Sequence, residues 1–274
     1  MGNNVIEETS LKLIEELSYC DECKSNEVQL ELVDVFISNC RNLLTLDFVN
    51  PNFKKEDIDS LLISIKNTLM LISRQAKVKD YDALSDIFIT KLPGIRRLIG
   101  STIEAILDGD PASDSSEEIV KSYPGFLAIL HYRVANELYK LGLKNIARYI
   151  SEIAHQKTGI DINPGATIGS HFFIDHGTGI VIGETAVVGN NVKLYQGVTL
   201  GAISLSKGKM LKGSKRHPTV EDDVTIYSNA SILGGNTIIG KGSTIGANVY
   251  LTDSIPPNSR VYLSESGIKF EIKK

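Results

Sequence analysis

Hydrophobic side chains in the first part of the chain recur at helical spacing. Ile6, Leu13, Ile14 and Leu17 form one stripe, and Ile58, Leu61, Leu62, Ile65 and Leu69 form another, because residues three and four apart share a helix face. A further helical stretch spans 81–108, where Pro93-Gly94 predicts a kink or a split. Pro124 suits a first helical position, and the pattern then runs to Leu141-Gly142, where Gly142 reads as a C-terminal stop. One more helix is expected over about 144–157, ending at Thr158-Gly159. Residues 1 to about 158 therefore read as a helical domain, whose apolar stripes serve either a core or subunit contacts.

After Gly159 the period changes. Single aliphatic residues recur at every sixth position, first at Ile162, Ile168 and Ile174. A slip of two residues leads to Ile182, Val188, Leu194 and Leu200, and a loop leads to Val220, Ile226 and Ile232. One extra residue then shifts the phase to Ile239, Ile245 and Leu251. A period of six fits neither a helix nor a hairpin sheet, and is a signature of the parallel β-helix. Each unit forms one flat face with an aliphatic side chain pointing inward, and coils stack about 4.8 Å apart. Glycine and asparagine gather where the backbone turns, as at Gly183, Gly189-Asn190-Asn191 and Gly240-Lys241-Gly242. The fold class is thus α+β: a helical domain over 1–158, then a β-helix over 159–274 with an inserted loop at about 201–218 and a tail at about 259–274. The repeat alone establishes a scaffold, and repeat proteins often only bind.

Composition adds exclusions. With 42% hydrophobic and 23% charged residues, the chain has the balance of a soluble globular protein. A net charge of −4 gives no reason to expect nucleic acid or an anionic membrane as partner. No apolar run reaches the roughly 20 residues of a membrane helix. The opening MGNNVIEETS has no signal-peptide pattern, so a cytoplasmic location is expected. Cys20, Cys23 and Cys40 are an odd, clustered set, which argues against a disulfide framework. Cys20-x-x-Cys23 lacks the second pair that a zinc site needs.

The inserted segment, GAISLSKGKMLKGSKRHP, carries Lys207, Lys209, Lys212, Lys215 and Arg216, a local positive charge suited to a phosphate-bearing ligand. Of the five histidines, His131 and His155 fall on predicted helices and read as structural or solvent-facing. His171 has no evident partner and reads as surface. His176 follows Asp175 in a glycine-rich corner, and His217 follows Arg216 at the end of the loop.

Taken together, these residues resemble the serine acetyltransferases, which make O-acetylserine for cysteine synthesis. The likeness runs from about Asp108 to about Asn258 and includes Asp110-Pro111-Ala112, Gly125-Phe126-x-Ala128, Tyr132-Arg133 and Gly159-Ile160-Asp161-Ile162-x-Pro164. It continues through Ile174-Asp175-His176-x-Thr178-Gly179-Ile180, Gly183-Glu184-Thr185-Ala186-Val187, Gln196-Gly197-Val198-Thr199-Leu200-Gly201 and Arg216-His217-Pro218. The resemblance implies a left-handed β-helix, trimers of prisms, hexamers made through the helical halves, and active sites between subunits. It implies acetyl-CoA and L-serine as substrates and no metal. By the same match, His176 is the general base, Asp161 the carboxylate that orients it, and His217 a partner across the interface. Arg216 would hold the substrate carboxylate, with Asp110 and Asp175 on its ammonium group. Main-chain groups at Ala202, Ser228 and Ala247 would bind CoA.

The chain departs from the family pattern in places. Ala202-Ile203 stand where a second glycine and a threonine are typical, and the loop is several residues longer. Leu127 and Asn136 replace histidines at positions read as structural. Lys274 ends the chain where members that dock with a sulfhydrylase end in isoleucine, which argues against that complex. An acetyltransferase acting on another acceptor, such as a sugar, is the alternative. A silent scaffold would not need Asp161, His176, Arg216 and His217, and a metal-dependent hydratase would need three converging histidines.

Overall fold

The computed structural model describes residues 28–203, 213–264 and 267–272. The stripe at Ile6–Leu17, Cys20, Cys23, Lys207, Lys209, Lys212 and Lys274 lie outside the described residues. Seven described helices precede the strands: α1 (Leu30–Leu44), α2 (Leu46–Val49), α3 (Lys55–Gln75), α4 (Tyr81–Gly109), α5 (Ser116–Ser122), α6 (Pro124–Lys140) and α7 (Lys144–Thr158). Pro124 opens α6 at its first turn, where its missing N–H costs nothing. Gly142 and Gly159 follow α6 and α7 with φ of 86° and 69°, the left-handed conformation that ends a helix.

Of the two outcomes expected at Pro93-Gly94, the split does not occur: α4 runs through it as one helix of 29 residues. Phe88 and Leu92 before the proline, and Ile95 and Ile99 after it, are all buried in one core. Burying a large apolar side chain is worth about 1.5–3 kcal/mol, so four of them outweigh the ~3 kcal/mol cost of an interior proline. Cys40 is buried in the same core, and burial pushes its thiol pKa up.

From Asp161 the chain winds into a left-handed β-helix with three faces. The strands fall into three sheets of five, four and six strands, one to each face. We number them as β1 (Asp161–Ile162), β2 (Thr167–Ile168), β3 (Phe173–Asp175), β4 (Val181–Ile182), β5 (Val187–Val188), β6 (Lys193–Tyr195) and β7 (Thr199–Gly201). After the loop come β8 (Thr219–Val220), β9 (Thr225–Ile226), β10 (Ser231–Leu233), β11 (Ile238–Ile239), β12 (Thr244–Ile245), β13 (Tyr250–Leu251), β14 (Ser259–Ser264) and β15 (Gly267–Ile272). The register explains the period of six. Ile162, Ile182, Leu200, Ile232 and Leu251 align coil above coil on the first face. Ile168, Val188, Val220 and Ile239 align on the second. Ile174, Leu194, Ile226, Ile245 and Val261 align on the third. All are buried except Leu251, which is partly so. The tail adds a feature the six-residue count does not reveal: β14 extends the third face, and β15 folds back antiparallel to it.

The helix α6 joins the two halves. Its Ala128, Ile129 and Tyr132 belong to the prism core, whereas Phe126, Leu130 and Val134 belong to the helical core. The Tyr132 hydroxyl donates to the Ala166 carbonyl (2.7 Å), and both terminal nitrogens of Arg133 donate to the carbonyls of Ile168 and Gly169. Asn136 donates to Pro164 (2.8 Å) and Ala166 (3.0 Å), as its structural reading anticipates.

Candidate active site

The prism has three edges, and the candidate residues gather on two of them, at opposite ends of the first face. One edge lies between the third and first faces. There, a corner that takes six residues from one inward side chain to the next in the later coils, as from Leu194 to Leu200 and Ile226 to Ile232, uses eight, from Ile174 to Ile182. The two extra residues form a bulge in which His176, Gly177 and Gly179 take φ of 58°, 91° and 81°. A side chain at Gly177 would place its Cβ 2.5 Å from Ile160, so the turn needs glycine there. The bulge turns His176 outward, leaving its side chain 72% exposed, with Nε2 3.8 Å from the Asp175 carboxylate.

The helical half completes this edge. Asp110, at the end of α4, accepts from the Ala112 backbone N–H (2.9 Å) and the Tyr123 hydroxyl (2.8 Å). These bonds, the Ala112 amide first, hold its pKa below the ordinary carboxylate range, with Lys193 and His176 adding to the effect. Burial and Asp110 push the Tyr123 phenol up to about 12, so it stays a donor. Lys193 donates to the Gly109 carbonyl (2.8 Å) and stands 3.6 Å from Asp175. Sequence reasoning misses Tyr123 and Lys193, because nothing local marks residues that meet only through the docking of helix on prism.

Asp161 is placed differently from the expected pairing. Within one chain its nearest cation is Arg148, 3.7 Å away, and no hydrogen bond or ion pair joins it to His176 among the described residues. Arg148 also pairs with Glu152. The ligand-type atoms of Glu152, His155 and Asp161 lie within 4.8 Å of one another, but the guanidinium already occupies the role of their cation. His171 keeps a partly exposed side chain but gains the partners its sequence did not show: its backbone N–H donates to Ser101 (3.1 Å), and its ring lies 3.3 Å from Glu104, both on α4. His131 is buried and bonded to the Leu127 carbonyl (2.8 Å), whereas His155 lies 3.3 Å from Glu152 at the surface.

The second edge, between the first and second faces, carries Arg216 and His217. His217 is only 8% exposed. Its Nδ1 accepts from the Thr185 backbone N–H (3.0 Å) and lies 2.9 Å from the Thr185 hydroxyl. That hydroxyl oxygen itself accepts from the backbone N–H groups of Arg216 (2.9 Å) and His217 (3.1 Å), so its proton points at the ring. These bonds assign the ring proton to Nε2. Burial, with Arg216 and Lys215 nearby, lowers the His217 pKa to about 4, and the ring is neutral near pH 7. It lies against Gly183, where an added Cβ would come 2.1 Å from the ring. Arg216 pairs with Glu184, whose other oxygen accepts from Tyr139 (2.7 Å). Arg216 and Tyr139 hold the Glu184 pKa low.

Ser228 and Ala247 lie on the first of these edges, one coil apart. The ladder there runs from Gly197 N–H to Thr178 (3.0 Å), Asn229 N–H to Gln196 (2.9 Å) and Asn248 N–H to Ser228 (2.9 Å). Ala202 sits on the other edge, after β7. No helix among the described residues is long and apolar enough to cross a membrane.

The same arrangement of helices and prism recurs in known proteins. A serine acetyltransferase of Synechococcus elongatus is 51% identical over 89% of this chain and 75% of its own length. A serine acetyltransferase of Bacillus subtilis is 46% identical over 60% of this chain and 73% of its own length. Serine acetyltransferase 1 of Entamoeba histolytica, solved in complex with L-cysteine, superposes with a TM-score of 0.75 at 37% identity, covering 86% of this chain and 87% of the other. The Neisseria gonorrhoeae serine acetyltransferase, solved in complex with serine, gives 0.60 at 27% identity, covering 84% and 95%. No protein-family model matches the sequence. Helices leading into a left-handed prism with histidines on its edges thus define an acyltransferase of the hexapeptide-repeat class. The identity shared with its relatives then settles the family: the chain belongs to the serine acetyltransferases.

Proposed function

We propose that this protein moves the acetyl group of acetyl-CoA to the hydroxyl of L-serine, giving O-acetylserine, at sites shared between neighbouring prisms of a trimer. The observation that carries the substrate assignment is the opposite charge of the two edges. Around His176, Asp110 and Asp175 face Lys193, an arrangement with carboxylate to spare for an ammonium group. Around His217, Arg216 and Lys215 outnumber Glu184, which suits a carboxylate. A zwitterion of serine's size needs both signs within a few ångströms. Each chain holds its two halves at opposite ends of one prism face, so two chains are needed to bring them together.

A serine hydroxyl becomes a competent nucleophile when a base removes its proton. His176 is exposed at the corner and takes that proton, the serine oxygen bonds to the thioester carbon, and the carbon–sulfur bond breaks as the tetrahedral intermediate collapses. His176 then returns the proton to the CoA thiolate. Asp161 orients the His176 ring once Arg148 releases it, as a carboxylate does for other histidine bases. Arg216 grips the substrate carboxylate with two parallel N–H bonds, exchanging part of its bond to Glu184. His217, neutral and carrying its proton on Nε2, donates to the substrate. Main-chain groups at Ser228 and Ala247 on one edge, and at Ala202 of the neighbour, hold CoA along the coils.

The test is release of free thiol from acetyl-CoA with and without L-serine, followed with a disulfide dye. Serine-dependent release is expected, and His176→Ala should lower it by about a thousandfold or more without changing the oligomer. Release with sugars but not serine would move the acceptor to another class.

A further inference from the structure

Away from both edges, a cavity of about 620 Å³ opens where α4 and α6 meet the second strand of the first coil. That volume lies in the range of small-molecule sites, roughly 300–1,000 Å³. Its lining includes Lys91, Arg97, Arg133 and Lys140, with Glu137 as the one carboxylate. Glu137 is already taken by Lys140 at 2.7 Å. Lys91 and Arg97 make no ion pair among the described residues.

Arg133 sharpens the imbalance. It is only 4% exposed, and its terminal nitrogens are spent on the carbonyls of Ile168 and Gly169. Its Nε has no hydrogen-bond partner, and Arg133 makes no ion pair, among the described residues. Burial therefore lowers its pKa, yet an arginine stays charged. A buried charge without a counter-ion is unfavourable, and this one adjoins a cavity that also holds Lys91 and Arg97.

We propose that this cleft is a second ligand site, distinct from the acetyl-transfer site, and that it binds a small polyanion, a metabolite bearing phosphates or several carboxylates. The Lys91 and Arg97 heads reach its anionic groups from α4, and the field of Arg133 supports them from α6. Because α6 also carries Tyr139, which holds Glu184 beside Arg216, the ligand sits one helix away from the half-site that grips the substrate.

The experiment is isothermal titration of the full chain with pyrophosphate and, separately, with citrate, at physiological salt and with acetyl-CoA saturating. Acetyl-CoA fills its own site and removes the basic loop as a competing explanation. Saturable binding of one anion per chain is expected for at least one probe. Tighter binding of pyrophosphate would assign a phosphate-bearing ligand, and tighter binding of citrate a polycarboxylate. In the double variant Lys91→Ala, Arg97→Ala the affinity should fall about tenfold or more, as expected for losing two charge-assisted bonds, while turnover of serine stays unchanged. Binding of neither anion, equal binding by the variant, or displacement by acetyl-CoA would each overturn the proposal. None of these results depends on which acceptor receives the acetyl group.

Discussion

The two buried histidines set a pH limit on the fold. His131, 3% exposed in the helical core, has its pKa lowered to about 4 by burial, and His217 is lowered to about 4 by burial and its cationic neighbours. Unfolded, both would titrate near 6.5. Between those values the unfolded chain binds protons that the folded chain refuses, so stability is full above pH 6.5 and is lost as pH falls toward 4. A tenfold difference in proton affinity is worth about 1.4 kcal/mol, so His131 alone removes up to roughly 3 kcal/mol over that range. Denaturant midpoints measured from pH 7 to pH 4.5 should fall, and the slope should be shallower in His131→Gln. An unchanged slope would mean that His131 titrates alike in the folded and unfolded chain. The sequence shows the five histidines but not this distinction. Period and motif place His131 on a helix and His217 on a loop end, whereas the desolvation that unites them comes from packing.

At the scale of elements, the β-helix was legible because one aliphatic residue per face is the smallest core that a coil can have. Its repeat therefore survives in the sequence almost unmasked. The phase slips were legible too, and they carry more than the repeat does: the two extra residues after Ile174 form the bulge that exposes His176, and the long insertion after Leu200 ends in Arg216-His217. The union of Tyr139, Glu184 and Arg216 was not legible. It joins a helix, a corner and a loop end through contacts 45 and 32 residues apart, with no local pattern to reveal it. At Pro93 the split that the local rule allows is overridden by burial on both sides. The rule's cost should still be measurable. Pro93→Ala restores an N–H able to reach the Ile89 carbonyl, and it should raise the stability of the helical half by about 1–3 kcal/mol. No gain in denaturant midpoint would show that α4 has already absorbed the defect elsewhere.

The whole molecule sets a geometric problem that one chain leaves unsolved. His176 and His217 belong to edges separated by a full prism face, and the two edges carry opposite balances of charge, as a zwitterion requires. Exposed Val181 and Val187 lie on the first and second faces, and covering them with a neighbouring prism would remove apolar surface from water while bringing unlike edges together. If every site takes His176 from one chain and Arg216-His217 from the next, two inactive variants should rescue each other. His176→Ala and Arg216→Ala chains, each inactive alone, would be co-expressed under different tags, and complexes holding both would be isolated. A junction is intact when a His176→Ala chain supplies the arginine edge and an Arg216→Ala chain supplies the histidine edge. Going round a trimer that holds both kinds of chain, that happens at one junction only, so about a third of wild-type turnover should return. Mixed complexes that remain inactive would mean that both half-sites act within one chain, and the face between them would then have to be bridged by a conformational change rather than by a neighbour.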